Sequence, residues 1–416
     1  MIFLKILFLL TELPYPAYNG VRIKTFNLIK GLSERGHEIH VISYLLNNIS
    51  RSDIEIMQKY CASVQLYPLP SNRRQLVTNI LHGFGSNDVI NFRFKSKEFM
   101  SAINCSVRDH SFDLVHFDLI SLTHYASLVQ TKVPIIASIN DSYSLWLKNQ
   151  IFRPPYLTLD ALSERAYYTL TFPLARRFEE KILSKFTKIH VVSKIDREYL
   201  RNLNNKLDIS VIPNGVDTDY YRPQNLPTQE NRICFVATMN SENMQNAIWF
   251  IRKVFPAVKK QLPNAKFYIV GRGQTRDLLK EALREPGVIV TGPVKDVRPY
   301  IHDSSVVIDP TTKTCGILNH VLHSMAMGKA IVGTSQSFLG VEGAISEKHM
   351  IIAKNNSDFA TDLIYLLRHP SEAKKIGENA RLLIETSYKW PAIISKYEKM
   401  YIDGRNKFAH DRETRM

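Results

Sequence analysis

Cysteine is scarce in this sequence, and its spacing gives no sign of a structural role. The 416 residues include four cysteines, Cys61, Cys105, Cys234 and Cys315, with no C-x-x-C pair and no His/Cys cluster. A disulfide framework or a structural zinc site needs such paired spacing. The sequence therefore argues against both, and it predicts a protein of the reducing cytoplasm.

Long hydrophobic runs are also absent. The sequence contains no stretch of about 18 apolar residues, which is the length that a membrane-spanning helix needs. The opening segment, MIFLKILFLL, is apolar but short, carries Lys5 in its middle and lacks a small-residue cleavage site. We therefore interpret it as a buried first strand rather than as a signal peptide.

Acidic residues are outnumbered by basic ones. Lys and Arg total 54 against 39 Asp and Glu, which gives a formal net charge of +15. Such a surface suits nucleic acid, an anionic membrane or a phosphorylated substrate, and charge alone does not choose among them. Between residues 51 and 110, basic and phenylalanine side chains interleave, which fits a lipid surface, a polyanion or a plain solvated face. These side chains are Arg73, Arg74, Arg93, Lys95, Lys97, Phe84, Phe92, Phe94 and Phe99.

Length and patterning predict two domains. A chain of 416 residues exceeds one ordinary core, and 44% hydrophobic with 22% charged residues is typical of soluble globular proteins. Short apolar strands alternate with helical patterns throughout, without repeats or low-complexity segments. We predict an α/β fold of two Rossmann-like, doubly wound domains facing across a cleft, with the first domain at residues 1–207 and the second at 208–389.

The stretch 311–334 is the centre of the predicted second domain. A buried strand at 305–309 ends in a proline, and a loop of small polar residues with one glycine, Gly316, follows. Apolar residues then recur at helical spacing as far as Gly328, and another strand begins soon after. The helix N-terminus would face the carboxyl end of the first strand, where an anion such as a diphosphate is stabilised. An ordinary crossover that binds nothing has the same pattern.

The predicted first domain opens with a similar unit. Its first strand leads into a Pro-rich loop with Gly20 near the tip, and then into a helix and a strand at 38–43. Ligands bind at this end of a doubly wound sheet, although the loop lacks G-x-G-x-x-G and a plain turn fits equally well. A later strand at 134–139 ends in Asn140 and Asp141. Asp141 could contact a sugar or an acceptor there, or it could simply cap the strand end.

Five segments, taken together and in order, resemble the family-4 (group 1) glycosyltransferases. In particular, the chain is similar to sugar transferases of bacterial exopolysaccharide and exosortase-associated gene sets, and the resemblance spans nearly its whole length. The segments are Gly20 in its Pro-rich loop, GHEIHV at 36–41, IPNGVD at 212–217, TGPVKDVRPY at 291–300 and MAMGK at 325–329.

This resemblance implies the GT-B fold, with a nucleotide-sugar donor held mainly by the C-terminal domain and an acceptor by the N-terminal domain. It also implies a retaining reaction that generally needs no metal, so we expect no cofactor besides the donor substrate. The C-terminal helix, at 390–404, would return to the first domain. The residues expected at the diphosphate are Gly20, Lys313, Gly316, Ile317, Asn319 and His320, with Val294 at the base and His323 near the ribose. His320 and Lys313 are the predicted catalytic groups, joined by Asp141 as a candidate contact to the sugar or acceptor.

The chain departs from the family pattern at several of these positions. Relatives carry Asn-Lys-x-x-Glu on the central helix, so that a lysine stands at His320 and a ribose-binding glutamate at His323. The other departures are Thr312, where a basic residue is expected, Ala237, where a glycine is expected, and Asn140, where many relatives have a histidine.

The two histidines leave several chemistries open. A neutral imidazole at His323 accepts one hydrogen bond where a carboxylate accepts two, and a protonated imidazole could attract phosphate instead. His320 would supply less charge than lysine to a leaving diphosphate, so activity could fall about a hundredfold. As an i, i+3 pair the two could bind a metal, but no third ligand stands at a suitable spacing, and we expect no metal site.

As a whole, the sequence predicts a cytoplasmic glycosyltransferase of polysaccharide biosynthesis, with peripheral contact to an anionic membrane left open. It would move a sugar from a nucleoside diphosphate donor to a glycan or lipid-linked acceptor. Three alternatives remain. The chain could be a weakened or inactive relative that acts as a binding or partner subunit, or a sugar-nucleotide epimerase of the same fold. Charge alone also suggests a nucleic-acid binder, whose affinity would depend strongly on salt, but we expect no nucleic-acid partner.

Overall fold

The structure of the protein is a computed structural model, which describes residues 2–46, 49–70, 92–152, 159–224, 227–312 and 315–414. The chain divides into two compact units. The first contains Met1–Pro213 together with Ile393–Met416, and the second contains Asn214–Ala392. Each unit is built on one parallel sheet, as the predicted α/β class requires.

The first unit contains a seven-stranded sheet with the order β3-β2-β1-β4-β5-β6-β7. All of its strand pairs are parallel, and five of its strands are almost wholly buried, as expected when helices cover both faces. The strands are β1 (Lys5–Leu10), β2 (Glu38–Leu45), β3 (Ser63–Pro68), β4 (Leu114–Asp118), β5 (Ile135–Asn140), β6 (Lys188–Val191) and β7 (Ile209–Val211).

The helices described in the first unit begin at polar caps that the sequence supplies. Asn19, Ser142 and Ser193, for example, each accept a hydrogen bond from a backbone N–H in the first turn of the helix that they precede. The helices are α1 (Gly20–Glu34), α2 (Arg51–Gln58), α3 (Lys97–Asp109), α4 (Tyr143–Ile151), α5 (Leu159–Leu183) and α6 (Lys194–Leu203).

The second unit contains a six-stranded parallel sheet with the order β10-β9-β8-β11-β12-β13. Its strands are β8 (Gln229–Val236), β9 (Lys266–Val270), β10 (Val288–Gly292), β11 (Ser304–Asp309), β12 (Ile331–Gly333) and β13 (Ile351–Ile352). Its helices are α7 (Ser241–Lys253), α8 (Phe255–Gln261), α9 (Arg276–Arg284), α10 (Arg298–Asp303), α11 (Asn319–Ala326), α12 (Asn356–Arg368) and α13 (Pro370–Ser387). The last helix of the chain is α14 (Trp390–Glu413).

Strand order fixes where each unit can bind a ligand. In both sheets the order reverses beside the first strand of the unit, between β1 and β4 in one and between β8 and β11 in the other. Loops on the two sides of such a switch point diverge and leave a crevice at the carboxyl ends of the strands. The strands β4, β5 and β11 end at Asp118, Asn140 and Asp309, so polar side chains lie at these edges.

Three boundaries differ from the sequence-based expectation. The first unit extends to Pro213 rather than to residue 207, because β7 pairs with β6 and so belongs to the first sheet. The helix α11 begins at Asn319 rather than at Ile317, which therefore lies in the preceding loop. The helix α14 continues to Glu413, past the predicted end at residue 404.

The C-terminal part of α14 completes the core of the first unit. Tyr397 and Tyr401 are buried, with their hydroxyl groups 3.1 Å from Nε2 of His190 and 2.9 Å from Nδ1 of His116. Ile394 packs on α1 at Gly31, where an added Cβ would lie 1.9 Å from Cδ1 of Ile394, so a side chain there would displace the end of Ile394. None of the helices that the structure describes has the length and apolar character needed to cross a membrane.

Candidate active site

The carboxyl end of β11 is organised by Asp309, the last residue of the strand, whose side chain is 1% exposed. One carboxylate oxygen accepts a hydrogen bond from the backbone N–H of Thr311 at 3.1 Å, and the other lies 2.5 Å from Nε2 of His320. Burial acts to raise the pKa of Asp309, but the charge of His320 and the hydrogen bonds outweigh it, and that pKa lies below its usual value. Asp309 is therefore a carboxylate at neutral pH.

His320 stands in the first turn of α11 with one ring nitrogen committed to this carboxylate. Because the ionised Asp309 can only accept a hydrogen bond, the proton between them belongs to Nε2 of His320. The ring edge also meets Phe235 of β8, with centroids 6.0 Å apart and planes at 79°. The side chain remains 21% exposed, so the predicted catalytic histidine is held on two sides and partly open to solvent.

The loop before α11 has the features expected of an anion site. Gly316 adopts φ 72°, a left-handed conformation that glycine takes without strain. Gly340 supports the loop closely, since an added Cβ there would lie 2.5 Å from the carbonyl oxygen of Gly316. The N-cap position of α11 is Leu318, whose side chain cannot accept a hydrogen bond from the free N–H groups of the first turn. The N–H of Val321 donates to the carbonyl oxygen of Leu318 at 3.1 Å, and those of Asn319 and His320 remain available to an anion. The predicted Lys313 lies outside the described residues.

Asn319 is oriented by a second amide. Its Oδ1 accepts a hydrogen bond from Nδ2 of Asn214 at 2.9 Å, and Asn214 lies in the IPNGVD segment that contributed to the family resemblance. That segment is held in place by Gly215, because an added Cβ there would lie 2.4 Å from the indole of Trp390. The first residue of α11 is therefore fixed from the segment that begins the second unit.

His323 lies one turn further along α11, flat against Tyr221. The ring centroids are 3.9 Å apart and the planes are inclined by 7°. Burial, with a smaller contribution from the charge of His320, lowers the pKa of His323 to about 3. The imidazole is therefore neutral near pH 7, and of the two states that the sequence left open it can accept one hydrogen bond but cannot attract phosphate by charge.

The two histidines of α11 have different partners, which bears on the predicted absence of a metal. His320 is bonded to Asp309, and His323 is stacked on Tyr221. Within the described ranges, no three His, Cys, Asp or Glu side chains come together in a way that could hold a metal ion.

The turns after β8, β9 and β10 are held against one another. Gly271 adopts φ 141°, and an added Cβ there would lie 1.9 Å from the carbonyl oxygen of Ala237. The backbone N–H of Gly271 donates to the carbonyl oxygen of Gly292 at 3.3 Å, which ties the turn after β9 to the turn that carries Val294. Val294 is half-buried against the core of the unit. Ala237, where the resemblance led us to expect glycine, is buried and its carbonyl oxygen is covered by Gly271.

In the first unit, Gly20 is the first residue of α1, directly after the cap Asn19. The Pro-rich loop before it is tied down by Arg22, whose guanidinium donates to Oε2 of Glu12 at 2.7 Å and lies over the ring of Tyr18 at 4.4 Å. Gly20 is thus placed at a supported helix N-terminus at the carboxyl end of β1.

A buried lysine links the polar residues at the neighbouring strand ends. Lys24 is 2% exposed, and its ammonium donates to Oδ1 of Asp118 at 2.6 Å, to Oγ of Ser138 at 2.9 Å and to Oδ1 of Asn140 at 2.8 Å. Burial acts to raise the pKa of Asp118, but the charge of Lys24, together with the nearby His116, holds it below its usual value. Asn140 adopts φ 63°, a left-handed conformation that costs a non-glycine residue free energy and often occurs at functional sites.

Asp141 follows this strained residue at the end of β5 and faces other carboxylates. Burial, and then the negative charge of Asp196, raise the pKa of Asp141, while Lys24 partly opposes them. Asp196 accepts the backbone N–H of Ser142 at 2.8 Å, and Glu179 accepts that of Tyr143 at 2.7 Å, so both serve the N-terminus of α4. Burial raises the pKa of Glu179 to about 7, although hydrogen bonds from Ser144, Ser142 and the backbone oppose it.

The structure brings together most of the predicted residues within each unit. Gly316, Ile317, Asn319, His320 and His323 lie along one loop and helix of the second unit. Of the basic and phenylalanine residues between 51 and 110, Arg73, Arg74 and Phe84 lie outside the described residues. Sequence reasoning did not find four residues that support the predicted ones within their own units. These are Lys24 in the first unit and Asp309, Asn214 and Tyr221 in the second.

Comparisons with known proteins agree with this arrangement. Residues 18–220 match the family described as Glycosyltransferase Family 4, and residues 230–369 match the one described as Glycosyl transferases group 1. Together the two matches cover most of the chain, and two Rossmann-like units with these switch points define the GT-B fold. The chain therefore belongs to the family-4, group 1 glycosyltransferases.

Individual relatives are distant but cover the chain almost completely. An uncharacterized 44.6 kDa protein in the cps region of Klebsiella pneumoniae is 22% identical over 411 residues, which is 95% of this chain and 99% of that protein. Sucrose-phosphate synthase from Thermosynechococcus elongatus superposes with a TM-score of 0.70 at 16% identity, over 96% of this chain and 98% of that one. Anabaena HepE in complex with UDP and glucose superposes with a TM-score of 0.63 at 13% identity, over 95% and 99%.

Proposed function

We propose that this glycosyltransferase moves a hexosyl group from a nucleoside diphosphate sugar to a glycan or lipid-linked acceptor, with retention of the anomeric configuration. The observation that carries the proposal is the pairing of His320 with buried Asp309 at the open N-terminus of α11. A ring held beside a carboxylate and next to free backbone N–H groups suits a diphosphate leaving group.

The donor would occupy the carboxyl edge of the second sheet. Gly316, Ile317, Asn319 and His320 would surround the diphosphate, together with Lys313 and with Gly20 of the first unit. Val294 would meet the base through backbone groups, and neutral His323 would accept one hydrogen bond from the ribose. The similarity to Anabaena HepE, which was solved with UDP and glucose, supports a nucleotide-sugar donor.

The acceptor would bind the first unit near Asn140 and Asp141. Similarity to a protein of a cps region supports a role in polysaccharide biosynthesis. Such an acceptor would be met in the cytoplasm, and the net charge of +15 would favour peripheral contact with an anionic membrane face.

In the proposed reaction the acceptor hydroxyl attacks from the side of the leaving group, and an oxygen of the donor phosphate takes its proton. A bond forms between the acceptor oxygen and the anomeric carbon of the sugar as the bond from that carbon to the diphosphate breaks. The negative charge passes to the diphosphate. The chain would contribute positioning and stabilisation of that charge, which fits a sequence in which no nucleophile and base pair stands out. Following the family resemblance, we propose that the reaction needs no added metal or cofactor.

A binding and turnover screen tests the proposal. Calorimetry with UDP, GDP, ADP and CDP should identify one tightly bound nucleotide, and its sugar conjugates should then be turned over in the presence of a metal chelator. His320→Ala should lower kcat about a hundredfold, since losing one electrostatic donor costs about 2.7–4 kcal/mol. Exposed His410→Ala is the matched control and should leave kcat unchanged. A nucleotide bound without any turnover would contradict the transferase and favour a binding subunit.

A further inference from the structure

Asp309 is the residue whose position the proposed function does not by itself explain. It is a buried carboxylate that touches no solvent, yet it is bonded to the one partly exposed histidine of the proposed diphosphate site. Taking a carboxylate out of water is costly unless a positive charge or several hydrogen bonds compensate it. The cost of burying an ionised carboxylate behind His320 therefore points to a role for its charge.

The backbone and the side chain of Asp309 make hydrogen bonds to different partners. Its carbonyl oxygen accepts hydrogen bonds from Oγ of Ser337 at 2.7 Å and from the backbone N–H of Thr334 at 3.3 Å, and these hold the turn after β12. Its carboxylate bonds the backbone N–H of Thr311 and the ring of His320. An asparagine would keep the backbone bonds, but its single Oδ1 can replace only one of the two accepting carboxylate oxygens, so the substitution removes the negative charge and one of the two side-chain acceptors.

Two neighbours of the His320 ring differ in charge. Asp309 on β11 and His323 on the same helix both interact with His320 electrostatically. His323 is neutral near pH 7, and the neighbour from β8 is the uncharged ring of Phe235. The carboxylate of Asp309 is thus the charged group that the structure describes in contact with His320.

We propose that Asp309 is the positioning residue for His320: the buried carboxylate fixes the proton on Nε2 and holds the ring, so that Nδ1 is left to take a second proton and donate a hydrogen bond to the diphosphate leaving group. The pair thereby replaces the lysine that relatives carry at this position. This inference rests on the proposed function. Since the negative charge on the diphosphate grows in the transition state, the pair acts mainly on kcat.

The test compares Asp309→Asn in two backgrounds, measured with the nucleotide sugar that the wild-type chain turns over. In the wild-type background we expect kcat to fall about 10- to 100-fold with the donor KM changed less than about threefold. His320→Lys carries its own charge, so in that background Asp309→Asn should change kcat less than about threefold. The decline in rate on the alkaline side of the wild-type pH profile should also be absent in His320→Lys.

Two results would overturn the inference. Asp309→Asn could keep wild-type kcat, or it could lower kcat equally in both backgrounds, as a purely structural role would. The melting temperature of each variant shows whether it is folded. If Asp309→Asn does not fold, ¹⁵N NMR of the wild-type ring decides the matter without a substitution. We expect a proton on Nε2 of His320 in the free protein and on both nitrogens with pyrophosphate bound, and an unprotonated Nε2 would refute the role of Asp309.

The same NMR measurement separates this inference from the proposed function. If the wild-type chain turns over no nucleotide sugar, the proposed transferase fails. The protonation of the His320 ring, with and without pyrophosphate, then still tests whether Asp309 controls it.

Discussion

Tyr221 covers one face of His323, with ring centroids 3.9 Å apart and planes 7° from parallel. The contact continues outward, since Tyr220 meets Tyr221 edge to face at 5.0 Å and the guanidinium of Arg298 lies 3.7 Å from the ring of Tyr220. The histidine that replaces the family's glutamate is thus one member of an aromatic stack. Its substitution has to be considered together with the residues that pack on it.

The stack should stabilise the second unit measurably. A double-mutant cycle of Tyr221→Leu and His323→Leu should give a coupling free energy of about 0.5–1.5 kcal/mol, because stacked rings gain more than the area that they bury. Denaturant unfolding monitored by a probe in the second unit provides the measurement. The matched control is the exposed pair Tyr365 and His369, with centroids 4.3 Å apart, which should couple more weakly. Equal coupling in the two pairs would mean that burial adds nothing to this contact.

Lys24 should be essential to the first unit. Lys24→Met leaves the buried carboxylate of Asp118 without its cation and should cost about 3–5 kcal/mol of unfolding free energy. Adding Asp118→Asn should recover a large part of the loss, because the uncompensated charge is then gone. Lys30→Met removes an exposed lysine that lies 3.9 Å from Glu34 and should cost less than about 1 kcal/mol. A Lys24→Met protein as stable as the control would show that Asp118 finds another partner.

Asp141 should make stability depend on pH with a definite sign. Burial and the charge of Asp196 raise the pKa of Asp141, so the folded chain keeps a proton that the unfolded chain has already released above about pH 4. Stability contributed by this group is therefore present at low pH and declines as pH rises towards the folded pKa. Asp141→Asn cannot ionise, so its melting temperature relative to wild type should increase from about pH 5 to about pH 7. The exposed Asp109→Asn serves as control, and a parallel pH dependence in all three proteins would contradict the shift.

Gly271 should tolerate no side chain. An added Cβ would lie 1.9 Å from the carbonyl oxygen of Ala237, and the residue adopts φ 141°. Gly271→Ala should therefore cost about 3 kcal/mol or more and displace the turn after β8 from the proposed donor site. Gly36→Ala shares the positive φ, at 89°, but meets nothing within 4 Å, so it should cost only about 1 kcal/mol. Comparable melting temperatures for the two variants would rule out the close approach as the cause.

The sequence predicts individual strands, loops and helices well, because these depend mainly on residues that are close together in the chain. The strand before Pro310, the glycine-bearing loop and the helix after it follow from periodicity and punctuation, and the α/β class follows from their alternation. The start of α11 was placed two residues early, since the apolar Ile317 continues the helical spacing although the backbone is not yet helical there. Residue assignments within the site came from the family resemblance and remain predictions.

Long-range partners could not be predicted in this way. The pairing of Asp309 with His320, or of Lys24 with Asp118, depends on which strands become neighbours, and no local pattern encodes that order. One signal was nevertheless present. Leu28 and Leu32 lie on the buried face of α1, and one turn earlier the same face carries Lys24. A lysine on an apolar face indicates a buried anion nearby.

The last helix affects the order in which the two units can fold during synthesis. The first unit buries Tyr397 and Tyr401 in its core against His190 and His116, and these residues leave the ribosome only after the whole second unit has been synthesised. Domains usually fold in order of synthesis. Here the second unit can complete its fold first. The core of the first unit stays incomplete until the last helix has been synthesised. A nascent chain released before residue 393 would carry a complete C-terminal fold and an unfinished N-terminal one.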